Sequence, residues 1–245
     1  MSADPAELFH PPCQVREHPR ARHVRLRVDP REGLIVTVPP HFDRRRLAAV
    51  LAQRADWIEA VQERQAMLRQ AADPKCLGMR PQRIGLAAVG RVWTVDYQFT
   101  RRRRMALEEH PERLVLLLPQ LASDELDRMV AAYLKQWLLR CGRRWLSPWV
   151  AQLAKQHGFA YRSAQIRNQS SRWGSCSARG VLSLNARLLF CEPATCEYVL
   201  IHELTHTVHP DHSPVFWARV AETVPDHRRH QAALKEVWLR LPDWV

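Results

Sequence analysis

Alternating polar and apolar positions predict β-strands in the first part of the chain. Residues 23–28 alternate in this way, and residues 34–38 form a second short apolar segment. The turn-forming residues 29–33 between them predict a β-hairpin. Apolar segments at 84–99 and 114–118 predict further strands.

Apolar residues spaced three and four apart predict two helices. Asp43 is the predicted cap of the first helix, whose apolar positions extend to Val61. Ser123 is the predicted cap of the second helix and Gly158 its predicted end. Residues 147–148 are expected to restart or kink this second helix. Its apolar stripe consists of Leu126, Val130, Tyr133, Trp137, Leu138 and Cys141.

The last part of the chain combines short strands with helices. Pro193 predicts the start of a helix that runs through His206, and Pro210 predicts its end. Two further helices are expected to begin at residues 213–214 and at Asp226. The predicted short strands lie at 165–168, 173–176 and 181–184.

These patterns predict an α+β protein with two folded parts. We divide the chain into a flexible segment 1–14, an N-terminal β-rich α+β module 15–119 and a second domain 120–245. Residues 1–104 hold 20 Lys and Arg against 11 Asp and Glu, whereas residues 105–245 hold 17 against 14. The basic N-terminal part is therefore a candidate contact for nucleic acid.

The overall composition is that of a folded protein rather than a disordered or fibrous one. Hydrophobic residues make up 46% of the 245 residues and charged residues 25%. The six cysteines form no Cys-x-x-Cys pair, which favours reduced thiols. Neither a membrane-spanning segment nor a signal peptide is recognisable, so we expect a cytoplasmic protein without membrane contacts. The run Arg101–Arg104 is predicted to be an exposed loop.

The strongest chemical signal is the sequence His202-Glu203-Leu204-Thr205-His206, an H-E-x-x-H pattern. Two histidines four apart project from the same face of a helix, so their ring nitrogens can bind one Zn²⁺ ion. Glu203 is placed to take a proton from a metal-activated water. The alternatives are a surface helix with incidental histidines and a structural zinc, although structural zinc sites are usually closed and rich in cysteine.

A catalytic zinc needs a third protein ligand. The candidates in the sequence are His209, Asp211, His212, Glu222 and His227. A straight helix would place His209 about 10 Å along the axis from His202, too far for a shared metal. Because Pro210 breaks the helix, the chain can fold back beyond it, and we select His212 as the third ligand.

Several further motifs occur in the order found in a known family. They are Arg172-Trp173-Gly174-Ser175-Cys176, Leu184-Asn185, the segment from Tyr198 to His206, His212-Ser213 and Phe216-Trp217. Through these motifs the chain resembles the YgjP-like metallopeptidases, relatives of the SprT-like proteases, over about residues 15–240.

The resemblance implies a zincin-like catalytic domain, in which a small twisted sheet lies beside an active-site helix. It implies one Zn²⁺ per chain, with His202, His206 and His212 as ligands and Glu203 as the general base. A peptide or protein substrate follows from the same resemblance.

The resemblance also suggests residues that contact the substrate. In zincins an edge strand binds an extended peptide, so Trp173, Gly174 and Ser175, with Arg172, are candidate substrate contacts. The alternative for Trp173 is a position in the core. Cys176 is expected to be a buried thiol rather than a nucleophile.

Two interpretations are open for each of two further residues near the motifs. Asn185 is either a hydrogen-bonding support of the site or a turn residue, and Tyr198 is either a support of His202 or a core residue. His209 is a candidate oxyanion donor. Phe216 and Trp217 are expected in the core.

The sequence is therefore consistent with three alternative functions. The first is a zinc-dependent metallopeptidase. The second is a metal-dependent nucleotide phosphoanhydride hydrolase, for which Arg172, Arg179 and Arg187 are candidate phosphate contacts. The third is a DNA-associated protease or binding module that uses the basic N-terminal part.

Overall fold

The computed structural model describes residues 13–29, 33–71 and 73–245. It divides the chain into two compact units, residues 1–72 and residues 73–245. The fold is α+β, as predicted, and the small sheets and six helices of the described residues are consistent with a zincin-like metallopeptidase domain. Among the described residues, no helix combines the length and the apolar character needed to cross a membrane.

The first unit contains a three-stranded sheet covered by helices. Its strands are β1 (Gln14–Glu17), β2 (Arg25–Asp29) and β3 (Gly33–Val38), and its helices are α1 (Leu47–Ala52) and α2 (Ala55–Gln70). β3 lies in the middle, parallel to β1 and antiparallel to β2. The antiparallel pair confirms the predicted hairpin, whose turn at residues 30–32 lies outside the described residues.

Alternation along β2 and β3 places one side of the sheet in the core of this unit. Val28, Leu34 and Val36 are buried there together with Leu47 and Leu51 of α1. Burial of these side chains holds the helix against the sheet.

Three predictions for this unit need correction. The predicted flexible segment 1–14 lies largely outside the described residues, but Cys13 is buried and Gln14 begins β1. Asp43 does act as a cap, accepting a bond from the Arg45 amide at 3.0 Å, but it caps a short 3-10 helix. The single predicted helix is divided, because α1 ends at Ala52 and α2 begins after a break.

The second unit contains two small sheets and four helices. The strands of the first sheet are β4 (Arg83–Leu86), β5 (Arg91–Phe99), β6 (Ala106–His110) and β7 (Arg113–Leu118). Those of the second are β8 (Ser163–Arg167), β9 (Gly174–Cys176) and β10 (Val181–Asn185). The helices are α3 (Ser123–His157), α4 (Pro193–Thr205), α5 (Pro214–Thr223) and α6 (His227–Arg240).

The two sheets differ in size and order. The first runs β4-β5-β7-β6, with β5 and β7 parallel in the middle. Burial of β7 on both faces explains why residues 114–118 are apolar without alternation. The second runs β8-β10-β9, so β9 is an edge strand antiparallel to β10.

Helix α3 joins both sheets through one hydrophobic core. It has 35 residues, runs past Pro148 without a break and ends at His157, directly before the predicted stop Gly158, whose φ of 71° is left-handed. The predicted cap is shifted by one residue, because Ala122 occupies the cap position. The Ser123 hydroxyl accepts a hydrogen bond from Arg80 instead.

The predicted domain boundary at residues 119–120 does not coincide with the division between the units. Strands β4 to β7 share their core with α3, and Trp93 of β5 contacts Trp137 of α3 edge-to-face at 5.2 Å. The basic excess of residues 1–104 is consequently divided between the two units. Exposed arginines lie at Arg44–Arg46 in the first unit and, as the predicted loop, at 101–104 in the second.

Candidate active site

Helix α4 carries the H-E-x-x-H residues through the centre of the second unit. It begins at Pro193, as predicted, and packs against α3, α5, α6 and β9. Tyr198, Leu200, Ile201 and Leu204 are buried on it. Because packing surrounds most of the helix, the side chains that leave it toward the site are held in fixed directions.

The helix ends earlier than predicted. Its last residue is Thr205, and residues 206–208 form a turn that precedes Pro210. The His209 amide still donates to the Thr205 carbonyl at 2.9 Å. This turn brings the His209 carbonyl to Nδ1 of His206 at 3.1 Å.

Three histidine side chains converge beyond the end of α4. His202, His206 and His212 each offer one nitrogen, and these three atoms lie within 4.8 Å of one another. The Nε2 atoms of His202 and His212 are 3.2 Å apart. Two nitrogens bound tetrahedrally to zinc at about 2.0–2.1 Å would be separated by about 3.3 Å, so the observed spacing fits a shared metal.

The chemistry of the three rings also fits a metal. Burial, together with the neighbouring His206 and His212, lowers the pKa of His202 to about 3. Burial lowers the pKa of His206 as well. Both imidazoles are therefore neutral at pH 7 and offer a nitrogen lone pair. The bond from Nδ1 of His206 to the His209 carbonyl leaves its Nε2 free to bind.

Aromatic side chains hold the histidines in place. Phe216 of α5 is fully buried and lies 4.5–4.9 Å from the three rings of the cluster. Trp217 stacks on His212 at 5.6 Å and on His227 at 5.3 Å. Phe216 lies in the core, as predicted, whereas Trp217 is partly buried against it, and both residues form the wall of the site.

The remaining candidates for a third ligand lie outside the cluster. Glu222 is engaged by Arg219 at 2.5 Å, and the exposed Asp211 accepts a bond from the Ser213 amide at 3.2 Å. Ser213 caps α5 through its hydroxyl, which accepts from the Phe216 amide. The cap starts α5 immediately after His212.

Glu203 is buried beside the histidines, with only 5% of its surface exposed. Burial raises the pKa of its carboxyl to about 8, and the charge of Arg172 opposes that rise. Its Oε2 atom and Nδ1 of His202 are buried without a hydrogen-bond partner in the described part of the chain. A buried carboxyl with an unused oxygen is suited to accept or deliver a proton.

The edge strand β9 lies directly against Glu203. A Cβ atom added to Gly174 would be 2.5 Å from Oε1 of Glu203 and 2.7 Å from its Cγ. A side chain larger than that of glycine at this position would therefore require Glu203 to shift. The sequence signal was a glycine inside a strand pattern, which often marks a close approach.

The other candidates on this segment differ in their surroundings. Trp173 is partly buried and packs against Trp238 edge-to-face at 4.9 Å, and Arg172 is exposed. Burial raises the pKa of the Cys176 thiol, which opposes its use as a nucleophile. Tyr198 is buried, with its ring 5.9 Å from the rings of both His202 and His230.

Among the arginines proposed as phosphate contacts, Arg172 carries a charge that lowers the pKa of Glu203. Arg187 donates to Asn168 at 2.9 Å and lies over the ring of Trp238. Arg179 lies exposed in the turn between β9 and β10. The fold therefore separates the three arginines into different surroundings.

Substituting Gly174 by alanine should disturb Glu203 without removing the metal. The added methyl group displaces the Glu203 side chain, and we expect peptide hydrolysis to fall on the order of 10- to 100-fold. The measurement is kcat/KM together with metal content. Gly85→Ala is a matched control in a strand, since its added Cβ meets no atom closer than 3.9 Å. Parent-level hydrolysis by Gly174→Ala would contradict this steric argument.

Comparison with known proteins identifies the class of this site. The family model described as "YgjP-like, metallopeptidase domain" matches residues 22–237. The chain therefore belongs to the YgjP-like family, and it is a metallopeptidase. Comparison with curated proteins gives no significant match.

A solved structure also shows a partial similarity. It is the crystal structure of the metallopeptidase zymogen of Pyrococcus abyssi abylysin, with 22% sequence identity and a TM-score of 0.35. The alignment covers 38% of this chain and 94% of that chain. A similarity at this level carries no argument about the activity.

Proposed function

We propose that this protein is a zinc-dependent metallopeptidase of the HExxH type, with one zinc ion per chain. The proposed ligands are His202, His206 and His212, and the proposed general base is Glu203. The observation that supports this most directly is the convergence of three imidazole nitrogens within 4.8 Å beside a buried carboxyl. Three histidines are a common ligand set of catalytic zinc.

The metal supplies what the protein side chains lack. When bound, zinc would polarise the peptide carbonyl, lower the pKa of water and favour the ionised form of Glu203. Among divalent metals, zinc suits imidazole ligands in a site that keeps an open position.

Glu203 is proposed to move the proton during hydrolysis. As a carboxylate, it takes a proton from the attacking water and delivers it to the leaving amine. Its burial supports this role, because a proton acceptor in a site poor in water interacts strongly with the reacting groups. Oε2, which has no partner in the described part of the protein, is the free acceptor atom.

The substrate is proposed to bind along β9. On one side, β9 pairs with β10 through Gly174, Ser175 and Cys176, and no strand of the described structure pairs with its other side. An extended peptide can add to such an edge by main-chain hydrogen bonds. Gly174 would allow the peptide backbone to pass close to Glu203, and Arg172 would contact its charged or carbonyl groups.

A panel of peptides and nucleoside triphosphates tests this proposal. We expect the zinc-loaded protein to cleave peptides and to leave the nucleotides intact. Of the three arginines proposed as phosphate contacts, only Arg172 has a charge that affects the pKa of Glu203. A chelator should remove the peptide activity and added zinc should restore it. Nucleotide turnover without peptide cleavage would instead support the phosphoanhydride hydrolase. DNA binding by the basic N-terminal part stays a prediction, and its test is an affinity that falls steeply with salt.

A further inference from the structure

Asn185 is a fully buried polar residue at the end of β10. Its side-chain amide donates two hydrogen bonds, to the carbonyls of Gln169 at 2.8 Å and Arg172 at 2.7 Å. Its side-chain oxygen accepts from the Arg187 amide at 3.1 Å. Its own backbone amide donates to the Trp173 carbonyl at 2.9 Å.

Three of these four bonds hold one irregular segment, residues 169–173. The segment connects β8 to β9 and is fixed near its beginning through Gln169 and at its end through Arg172 and Trp173. These bonds satisfy three main-chain carbonyls of a segment that forms neither helix nor strand. Asn185 therefore determines the path of the chain just before β9.

The segment 169–173 leads directly to Gly174, which lies against Glu203. Gly174 follows the segment without an intervening residue and approaches Glu203 so closely that a Cβ atom would be 2.5 Å from Oε1. The carbonyl of Arg172, which Asn185 binds, lies two residues before Gly174 in the chain. A shift of the segment would move both groups relative to the site.

We propose that Asn185 is a positioning residue, which holds residues 169–173 so that Arg172 and Gly174 meet a bound peptide beside Glu203. The proposal rests on the proposed peptidase function, since it concerns how the same site receives its substrate. Asn185 itself does not touch the reacting atoms.

The chemistry of the amide separates this role from simple capping. Asn185 also caps the short 3-10 helix at Ala186–Phe190 through its side-chain oxygen. Aspartate caps a helix as well as asparagine does, but its carboxylate has no N–H to donate to the two carbonyls. Asn185→Asp therefore keeps the cap and removes two of the three bonds to the segment, while the backbone bond to the Trp173 carbonyl remains.

Asn168 provides a matched control on the same connection. Its side chain accepts a hydrogen bond from Arg187 at 2.9 Å, whereas the bonds to the Gln169 and Arg172 carbonyls come from Asn185. Asn168→Ala removes one bond beside the segment while the three bonds from Asn185 remain.

The experiment measures peptide binding to zinc-loaded protein in which Glu203→Gln prevents turnover. In that background, Asn185→Ala and Asn185→Asp should each weaken peptide binding about tenfold, and Asn168→Ala should not, because two buried hydrogen bonds to the segment are lost only in the first two. Binding is expressed per folded, zinc-containing molecule, so that a loss of stability alone does not change the measured peptide affinity. Parent-level binding by Asn185→Asp would show that Asn185 is only a cap and would overturn the proposal.

A measurement on the Glu203→Gln protein without further change covers the case in which the Asn185 variants do not fold. The side-chain amide protons of Asn185 should exchange slowly and shift in NMR spectra when the peptide binds. An Asn185 signal that stays unchanged at peptide saturation would also overturn the proposal. If the parent neither binds nor cleaves any peptide, the proposed peptidase function fails; if it does both while all variants bind equally well, only the role of Asn185 fails.

Discussion

Replacing Glu203 by glutamine should abolish peptide hydrolysis while the metal stays bound. Glutamine has the shape of glutamate but cannot take a proton, and the loss of a general base costs about 10²- to 10⁴-fold in rate. The metal should remain because the cluster that can hold it consists of His202, His206 and His212. The measurements are kcat on a cleaved peptide and metal content by elemental analysis.

Glu222 offers a matched control for this substitution. It is a carboxylate of the neighbouring helix α5, paired with Arg219, and 61% of its side chain is exposed. Glu222→Gln removes the same charge and should leave both rate and metal content near the parent values, because exposed ion pairs contribute little. Hydrolysis by Glu203→Gln at the parent rate would exclude Glu203 as the base.

Replacing His202 by alanine should remove both the metal and the activity. The ring of His202 lies 4.9 Å from that of His206 and 5.1 Å from that of His212. The loss of one of three protein ligands should weaken zinc binding by at least about 100-fold, since losing even an outer hydrogen-bond partner costs 10- to 100-fold. The measurement is zinc content after dialysis at fixed free zinc, followed by peptide hydrolysis.

His209→Ala is the control for metal binding. The backbone carbonyl of His209, which contacts Nδ1 of His206, is retained in this variant. Zinc content should therefore stay at one ion per chain, and any fall in hydrolysis would report the separate prediction that the His209 side chain is an oxyanion donor. Parent-level zinc affinity in His202→Ala would contradict the proposed ligand set.

The site was predictable from sequence where spacing along one element determines geometry. The four-residue spacing of His202 and His206 places both on one helix face, and the predicted break after them allows the chain to bring back His212. The exact end of the helix was not predictable from Pro210 alone. The turn depends on bonds such as that from the His209 amide to Thr205, which no local pattern specifies.

Contacts between distant segments could not be predicted from the sequence for a similar reason. The sequence left two interpretations of Asn185 open, because the carbonyls that it binds are 13 and 16 residues away in the chain. The boundary at residues 119–120 followed from a change in local pattern, whereas the actual units depend on the core that Trp93 and Trp137 share. Local periodicity identifies the elements, and tertiary packing decides which elements form one unit.

The arrangement of the histidines has a consequence for how tightly a metal can bind. Two of them extend from the end of α4, and the third lies on the connection to α5, so a metal would crosslink the chain across residues 206–212. The entropy lost in closing such a link is smaller when both ends are already fixed. Phe216 fixes the far end by burying its ring against the cluster. The affinity for the metal thus depends on an apolar residue that has no atom to donate to it.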